Sequence, residues 1–92
     1  MRFKHSKVNI DDTEVEVREL SARQRRELFE LHSKDTNPIE IQAHVIKMGC
    51  DMYSDKSVDD ILDISGTAFD TLAKEILHIS GLDEEAADEK NS

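Results

Sequence analysis

The residue types that most often bind metals or act as nucleophiles are few and widely spaced in this chain. The four histidines are His5, His32, His44 and His78, and Cys50 is the single cysteine. A zinc site needs closely spaced ligands, such as a Cys-x-x-Cys pair or two histidines on one helical turn. The sequence contains no such pair. Ordinary surface or half-buried imidazoles are the favoured interpretation, and we expect no metal and no cofactor.

Cys50 would be a catalytic nucleophile only with a neighbouring base to lower its pKa. It follows Gly49, which we expect to end a helix in the left-handed conformation. A thiol packed beneath the next loop is therefore favoured over a small hydrolase that uses Cys50. A single cysteine also excludes an intramolecular disulfide, which suits a reducing compartment.

Acidic residues between positions 51 and 60 resemble a cation-binding loop at first sight. They are Asp51, Asp55, Asp59 and Asp60. A calcium loop also requires a glycine at its sixth position and a glutamate at its last, and Lys56 and Leu62 occupy those positions. The first turn of a short helix explains the acids better, because carboxylates interact favourably with the positive end of the helix dipole.

Arg23, Arg25 and Arg26 form the one basic cluster, which is a candidate for contacting phosphate or an acidic partner. Glutamates are interleaved with these arginines, as is typical of a solvated, salt-bridged helix face. The chain has 92 residues and a formal net charge of −9, which repels a nucleic acid backbone. Nucleic acid is thus an unlikely partner, and a small phage or bacterial regulator that binds it through the three arginines is the alternative function.

The elements that must position these residues begin with a β-hairpin within residues 1–20. Apolar and polar residues alternate on both sides of Asp11-Asp12, which supplies the turn. The apolar face consists of Val8, Ile10, Val15 and Val17. A two-stranded hairpin is marginal alone, so this face must pack on helices. Both of its edges can accept a strand from another chain.

Four helices are predicted within residues 21–82. The first covers 22–32 behind a Ser21 and Gln24 capping box, and the second covers 38–48 behind Asn37. Either Ser54 or Ser57 caps the short third helix, after a connecting loop at 50–55. The fourth covers 67–80 and ends at Gly81. Their predicted apolar contacts are Leu28, Phe29 and Leu31; Val58, Ile61 and Leu62; and Phe69, Leu72, Ala73, Ile76 and Leu77.

The second helix is apolar on more sides than one packing face covers. Its apolar residues are Ile39, Ile41, Ala43, Val45, Ile46 and Met48. The pattern indicates either a central, buried helix or an additional interface.

Residues 83–92 hold five acidic residues, one basic residue and no aliphatic residue larger than alanine. Such a segment buries too little apolar surface to offset ordering, so we expect a disordered acidic tail that carries a net charge of −4. The whole pattern predicts an α+β, mostly helical fold, in which residues 1–82 form one domain with a hairpin packed on about four helices. We expect a soluble protein without a targeting or membrane segment.

Several motifs occur in a familiar order. They are Val17-Arg18-Glu19-Leu20-Ser21-Ala22-Arg23, then Tyr53-Ser54-Asp55, then Ile79-Ser80-Gly81-Leu82, and finally Glu89-Lys90-Asn91-Ser92 after an acidic run. This order resembles the tail assembly chaperone family of long-tailed, siphovirus-type bacteriophages and prophages. The resemblance covers nearly the whole chain, although the loop at 50–55 is shorter than the glycine-containing connection of the family.

The resemblance implies a non-enzymatic protein in the cytoplasm of the bacterial host. Such a protein binds the tape measure protein, recruits tail tube subunits and is absent from the mature virion. Many relatives are also made as a frameshifted fusion with a C-terminal domain. Apolar grooves of the second and fourth helices would accept amphipathic segments, and self-association into oligomers is also expected. The candidate partner-binding residues are Val17, Arg18, Leu20, Ile39, Ile41, Val45, Met48, Phe69, Leu72 and Ile76.

Overall fold

A computed structural model describes residues 2–82 of the chain. The predicted disordered tail at 83–92 lies outside the described residues. The order of elements is a β-hairpin, two helices, a single 3-10 turn and two further helices. The predicted α+β, mostly helical architecture is confirmed.

The hairpin consists of β1 (His5–Ile10) and β2 (Thr13–Arg18), which pair antiparallel with Val8 opposite Val15. Asp11 and Asp12 form the two-residue turn and have φ angles of 50° and 65°. Such turns require positive φ, which aspartate tolerates better than most residues. The two aspartates of the turn therefore determine where the hairpin reverses and which residues of its two strands pair.

The predicted apolar face of the hairpin packs on the fourth helix, α4 (Gly66–Ile79). Val15 and Val17 of β2 are buried, whereas Val8 and Ile10 of β1 are half-buried. Ser6, on the same face, donates a hydrogen bond to the Glu75 carboxylate of α4. Strand β2 therefore supplies the fully buried side chains that the hairpin contributes to the core.

Helix α1 (Ala22–Ser33) begins with the predicted capping box. The Gln24 amide donates to Ser21 Oγ at 3.2 Å, and the Ser21 amide donates to Gln24 Oε1 at 2.9 Å. Of its three predicted apolar contacts, Leu28 is buried and Leu31 half-buried. Phe29 was expected to join them but is 66% exposed. Adjacent helical residues point about 100° apart, so packing through Leu28 turns Phe29 toward the margin of the contact.

Helix α2 (Pro38–Gly49) is the central helix, because it contacts α1, α3, α4 and the 3-10 turn. Asn37 caps it by accepting a hydrogen bond from the Ile39 amide at 2.8 Å. Four of its aliphatic residues are buried, namely Ile41, Ala43, Val45 and Ile46. Central burial thus explains most of the apolar surplus of this helix.

The expectation that Gly49 ends α2 in the left-handed conformation is wrong. Gly49 is the last residue of the helix and is buried, and Cys50 follows it in an extended conformation. A Cβ at Gly49 would lie 2.6 Å from Ile76 Cγ2 and 3.0 Å from the Arg18 carbonyl oxygen. Glycine is required here by close packing rather than by backbone conformation.

The predicted loop after Cys50 contains a 3-10 helix, Asp51–Tyr53. Ser57, not Ser54, caps the short helix α3 (Val58–Leu62), because its side chain accepts a hydrogen bond from the Asp60 amide at 3.1 Å. Ile61 is buried, and Leu62 remains 36% exposed. The polypeptide thereby turns from the end of α2 to the start of α4.

The end of α4 has the hydrogen bonds of a Schellman motif. The Leu82 amide donates to the Leu77 carbonyl at 2.8 Å, and the Gly81 amide donates to the His78 carbonyl at 3.0 Å. Gly81 has a φ of 74°, as predicted for a helix-ending glycine. Ser65 caps the other end, so Gly66 is the first helical residue. The apolar stripe of α4 reaches the core as expected.

Candidate functional site

An apolar groove lies between α1, α2 and the C-terminal end of α4 and has a volume of about 330 Å³. The two long walls have the same spacing, since each helix contributes residues at i, i+3, i+4 and i+7. These are Arg25, Leu28, Phe29 and His32 on α1, and Pro38, Ile41, Gln42 and Val45 on α2. Residues at this spacing share one helix face, so two such faces form the groove.

The floor of the groove is continuous with the protein core. Leu28, Ile41 and Val45 are buried in the core cluster, and Leu77 and Leu82 are partly buried and pack against it. This arrangement follows from the Schellman motif, which folds Leu82 back over the last turn of α4. A ligand entering the groove would therefore meet aliphatic surface that is already held in place.

The groove is lined by one cationic side chain, Arg25, and by the imidazole of His32. The Arg25 guanidinium donates a hydrogen bond to the Ser80 carbonyl at the end of α4. A cation in this position interacts favourably with the negative end of the helix dipole. The rim thus offers positive charge beside an apolar floor.

Two large apolar side chains are exposed near this groove. Phe29 lines it and is 66% exposed, while Ile39 is 57% exposed on the first turn of α2, beside the lining residue Pro38. Burying a side chain of this size contributes about 1.5–3 kcal/mol. A partner that covers these two side chains would therefore gain binding free energy from their burial.

Ten residues were predicted from the sequence to bind a partner, and the structure places seven of them in the core. These seven are Val17, Leu20, Ile41, Val45, Phe69, Leu72 and Ile76. Ile41 and Val45 also line the groove. Met48 is half-buried, and its carbonyl accepts a hydrogen bond from Gln24 Nε2 at 3.3 Å. Ile39 is the member with an exposed side chain.

Arg18, the remaining candidate, is half-buried at the end of β2. One terminal guanidinium nitrogen lies 3.5 Å from Asp51 Oδ1. Its Nε is buried without a hydrogen-bond partner among the described residues. The contact holds the 3-10 helix against the hairpin, which is a structural role inside the chain.

The groove includes residues that were not among the predicted partner-binding set. Arg25, His32, Pro38, Gln42 and Leu82 belong to this group, together with Leu28, Phe29 and Leu77, which were assigned to apolar contacts within the fold. The matched spacing on α1 and α2 was a usable signal in the sequence. Which two faces meet is decided by the packing of α1 on α2.

The three arginines of the basic cluster differ in their contacts. Arg25 is directed to the Ser80 carbonyl, and Arg26 Nε lies 3.9 Å from Glu30 Oε1, four residues along α1. Arg23 is exposed. The nucleic acid alternative receives no support from this arrangement.

Cys50 is fully buried, and its thiol donates a weak hydrogen bond to the Glu16 carbonyl at 3.7 Å. Burial raises the pKa of the Cys50 thiol, and hydrogen bonds from the backbone of Met52 and Tyr53 only partly oppose this. The protonated thiol therefore dominates at neutral pH, which does not favour nucleophilic attack. The predicted burial of this residue is confirmed, and its hydrogen-bond partner lies on β2.

Residues 2–82 contain no group of three or more His, Cys, Asp or Glu side chains placed to hold a metal ion. Within the same residues, no helix combines the length and apolar character needed to cross a membrane.

Comparisons with protein-family models, with curated proteins and with solved structures find no match to this chain.

Proposed function

We propose that this chain is a non-enzymatic tail assembly chaperone of a long-tailed bacteriophage or prophage. It binds the tape measure protein and recruits tail tube subunits in the cytoplasm of the bacterial host, and it is absent from the mature virion. The order of the sequence motifs supports the family. The observation that carries the proposal is the apolar groove between α1, α2 and α4.

The groove suits an amphipathic helix better than a small polar substrate. A helix presents apolar side chains at i, i+3, i+4 and i+7, and such anchors insert into apolar grooves between helices. A volume of about 330 Å³ accommodates only a few side chains. Each copy of the chaperone therefore covers a short stretch of the tape measure protein, and many copies are required along its length.

The rim of the groove favours acidic residues beside the apolar anchors. Arg25 and His32 flank the buried floor, and opposite charges across an interface fix the orientation of the partner. The net charge of −9 on the chain keeps a complex with exposed apolar segments soluble.

Co-expression of the chain with a tape measure protein tests the proposal. We expect the soluble fraction of the tape measure protein to rise when the chaperone is present. Phe29→Ser removes the exposed aromatic side chain of the groove and should lower this fraction severalfold. The matched control is Met52→Ser, because Met52 is also an exposed apolar residue, at 52%, but lies on the 3-10 helix at the other end of α2.

Two results would overturn the proposal. In the first, the tape measure protein is no more soluble with the chain than without it. In the second, Phe29→Ser and Met52→Ser reduce its solubility equally, which would assign the effect to general surface hydrophobicity. Circular dichroism of both variants checks that the fold is retained.

A further inference from the structure

The two edges of the hairpin differ in what covers them. Ile10 and Thr13 flank the two-residue turn, so they form a hydrogen-bonded pair. Along the hairpin from this point, hydrogen-bonded pairs alternate with pairs that are not hydrogen-bonded to each other. The Glu19 amide donates to the Lys4 carbonyl at 2.9 Å, in agreement with this alternation. The backbone groups of His5, Lys7 and Asn9 consequently point away from β2, toward the outer edge of β1.

The outer edge of β2 is covered by the chain itself. The Glu16 carbonyl accepts the hydrogen bond from Cys50 Sγ. The Arg18 carbonyl faces Gly49, where a Cβ would approach to 3.0 Å. The Arg18 side chain also reaches Asp51 on the 3-10 helix. A further strand cannot be added on this side without displacing the end of α2.

The outer edge of β1 has no such cover. Within residues 2–82, no backbone hydrogen bond reaches the outward groups of His5, Lys7 or Asn9. Val8 and Ile10, which lie on the core face of the same strand, are only half-buried. An additional strand would pair the open backbone groups and complete the burial of these two side chains.

The sequence of β1 is complementary to itself in the antiparallel direction. His5 and Lys7 lie toward its start, and the acidic turn residues Asp11 and Asp12 follow its end. Two copies related by a two-fold axis place the basic end of one strand beside the acidic end of the other. Centred on Val8, such a pair sets His5 of one copy opposite Asp11 of the other, and this complementarity selects a second copy of this chain as the occupant of the edge.

We propose that the chain forms a symmetric dimer through antiparallel pairing of β1 with β1 of a second copy, centred on Val8. The register places Val8 opposite Val8, Lys7 opposite Asn9, and Ser6 opposite Ile10. It joins the outward backbone groups of Lys7 and Asn9 on both copies and produces a four-stranded sheet. This inference does not depend on the proposed function, because it uses a surface separate from the groove.

Neighbouring registers are less favourable. Centring the pair on Lys7 would place two lysines directly opposite each other, which destabilises a sheet. If one strand slid by a single residue, residues whose backbone groups point toward the second copy would face residues whose groups point toward β2. The hydrogen bonds between the two copies could then not form. In the Val8 register Lys7 instead lies opposite the uncharged Asn9, and its ion pair with Glu14 of the same copy, at 3.4 Å, is retained.

Sedimentation over a wide concentration range tests the dimer. We expect a monomer–dimer equilibrium that Lys7→Pro weakens by about tenfold or more, because proline removes an outward amide that pairs between copies. The amide of Lys7 does not bond within the hairpin, so the monomer should keep its fold. Phe29→Ser, in the groove, is the control and should leave the equilibrium unchanged.

A cross-linking measurement keeps the test decisive if Lys7→Pro disturbs the fold. Val8→Cys places the new thiols opposite each other and should give a disulfide-linked dimer on mild oxidation. Glu14→Cys, on the exposed face of β2, should give far less. A monomer at every concentration, a dimer broken by Phe29→Ser instead of Lys7→Pro, or equal cross-linking of the two cysteine variants would overturn the proposal.

Discussion

At Gly49 the hairpin, α2 and α4 pack closely against one another. Its α-carbon faces the fully buried side chain of Ile76 and the carbonyl of Arg18. Neither neighbour can move away easily, since one is packed in the core and the other belongs to a strand backbone. A single methyl group at this position would therefore separate parts of the chain that must touch.

We expect Gly49→Ala to lower the free energy of unfolding by about 1–3 kcal/mol, as overpacking of a filled interior does. Gly66→Ala is the matched control. A Cβ at Gly66 meets nothing within 4 Å, and the residue is in the first turn of α4. The control should be neutral or stabilising by up to about 1 kcal/mol. Urea denaturation of both variants measures the difference, and equal effects would contradict the packing argument.

At the scale of elements, Ser80 joins the end of α4 to the segment between β2 and α1. It is buried, and its Oγ accepts a hydrogen bond from the Leu20 amide at 2.9 Å while donating to the Ile76 carbonyl at 2.6 Å. The carbonyl of the same residue accepts from Arg25. One polar residue thus fixes the position of α1, and with it one wall of the groove.

Ser80→Ala should lower the free energy of unfolding by about 1–3 kcal/mol, because it leaves the buried Leu20 amide without an acceptor. The control is Ser33→Ala, whose hydroxyl is exposed and donates a hydrogen bond to the Glu30 carbonyl of the same helix. Thermal denaturation gives the stability, and amide hydrogen exchange at Leu20 gives the local effect. Unchanged exchange at Leu20 would show that the hydroxyl is not the element that anchors this segment.

At the scale of the whole molecule, one cluster of buried residues connects the hairpin to the helices. It includes Val15 and Val17 of β2, Ile46 of α2, Ile61 of α3 and Leu72 of α4. No element therefore has a separate core to retain when the others unfold. Residues 2–82 should behave as one cooperative unit.

We expect helix content and the fluorescence of Tyr53 to report the same unfolding transition. Tyr53 is the single tyrosine in a chain without tryptophan, and it is half-buried on the 3-10 helix. Leu72→Ala, which should cost about 2–5 kcal/mol, must shift both transitions by the same amount. A Tyr53 transition that precedes the loss of helix would show that the 3-10 segment unfolds independently.

Features that depend on neighbouring residues could be predicted from the amino-acid sequence. Ser21 with Gln24, Asn37 with Pro38, and Asp11 with Asp12 set the starts of two helices and the turn of the hairpin, because capping and turn hydrogen bonds form within a few residues. The apolar stripe of α4 was visible for the same reason.

The way in which those elements pack together could not be predicted from the sequence. The local sequence predicts that Gly49 ends a helix, and the packing of Ile76 against it cannot be seen from its neighbours. The local sequence also predicts that Phe29 is a core residue, but the contact between α1 and α2 leaves it exposed. Two matching helix faces become a groove, and one edge of the hairpin becomes covered, through contacts between residues far apart in the chain. Such contacts depend on shape and volume, which leave no local pattern in the sequence.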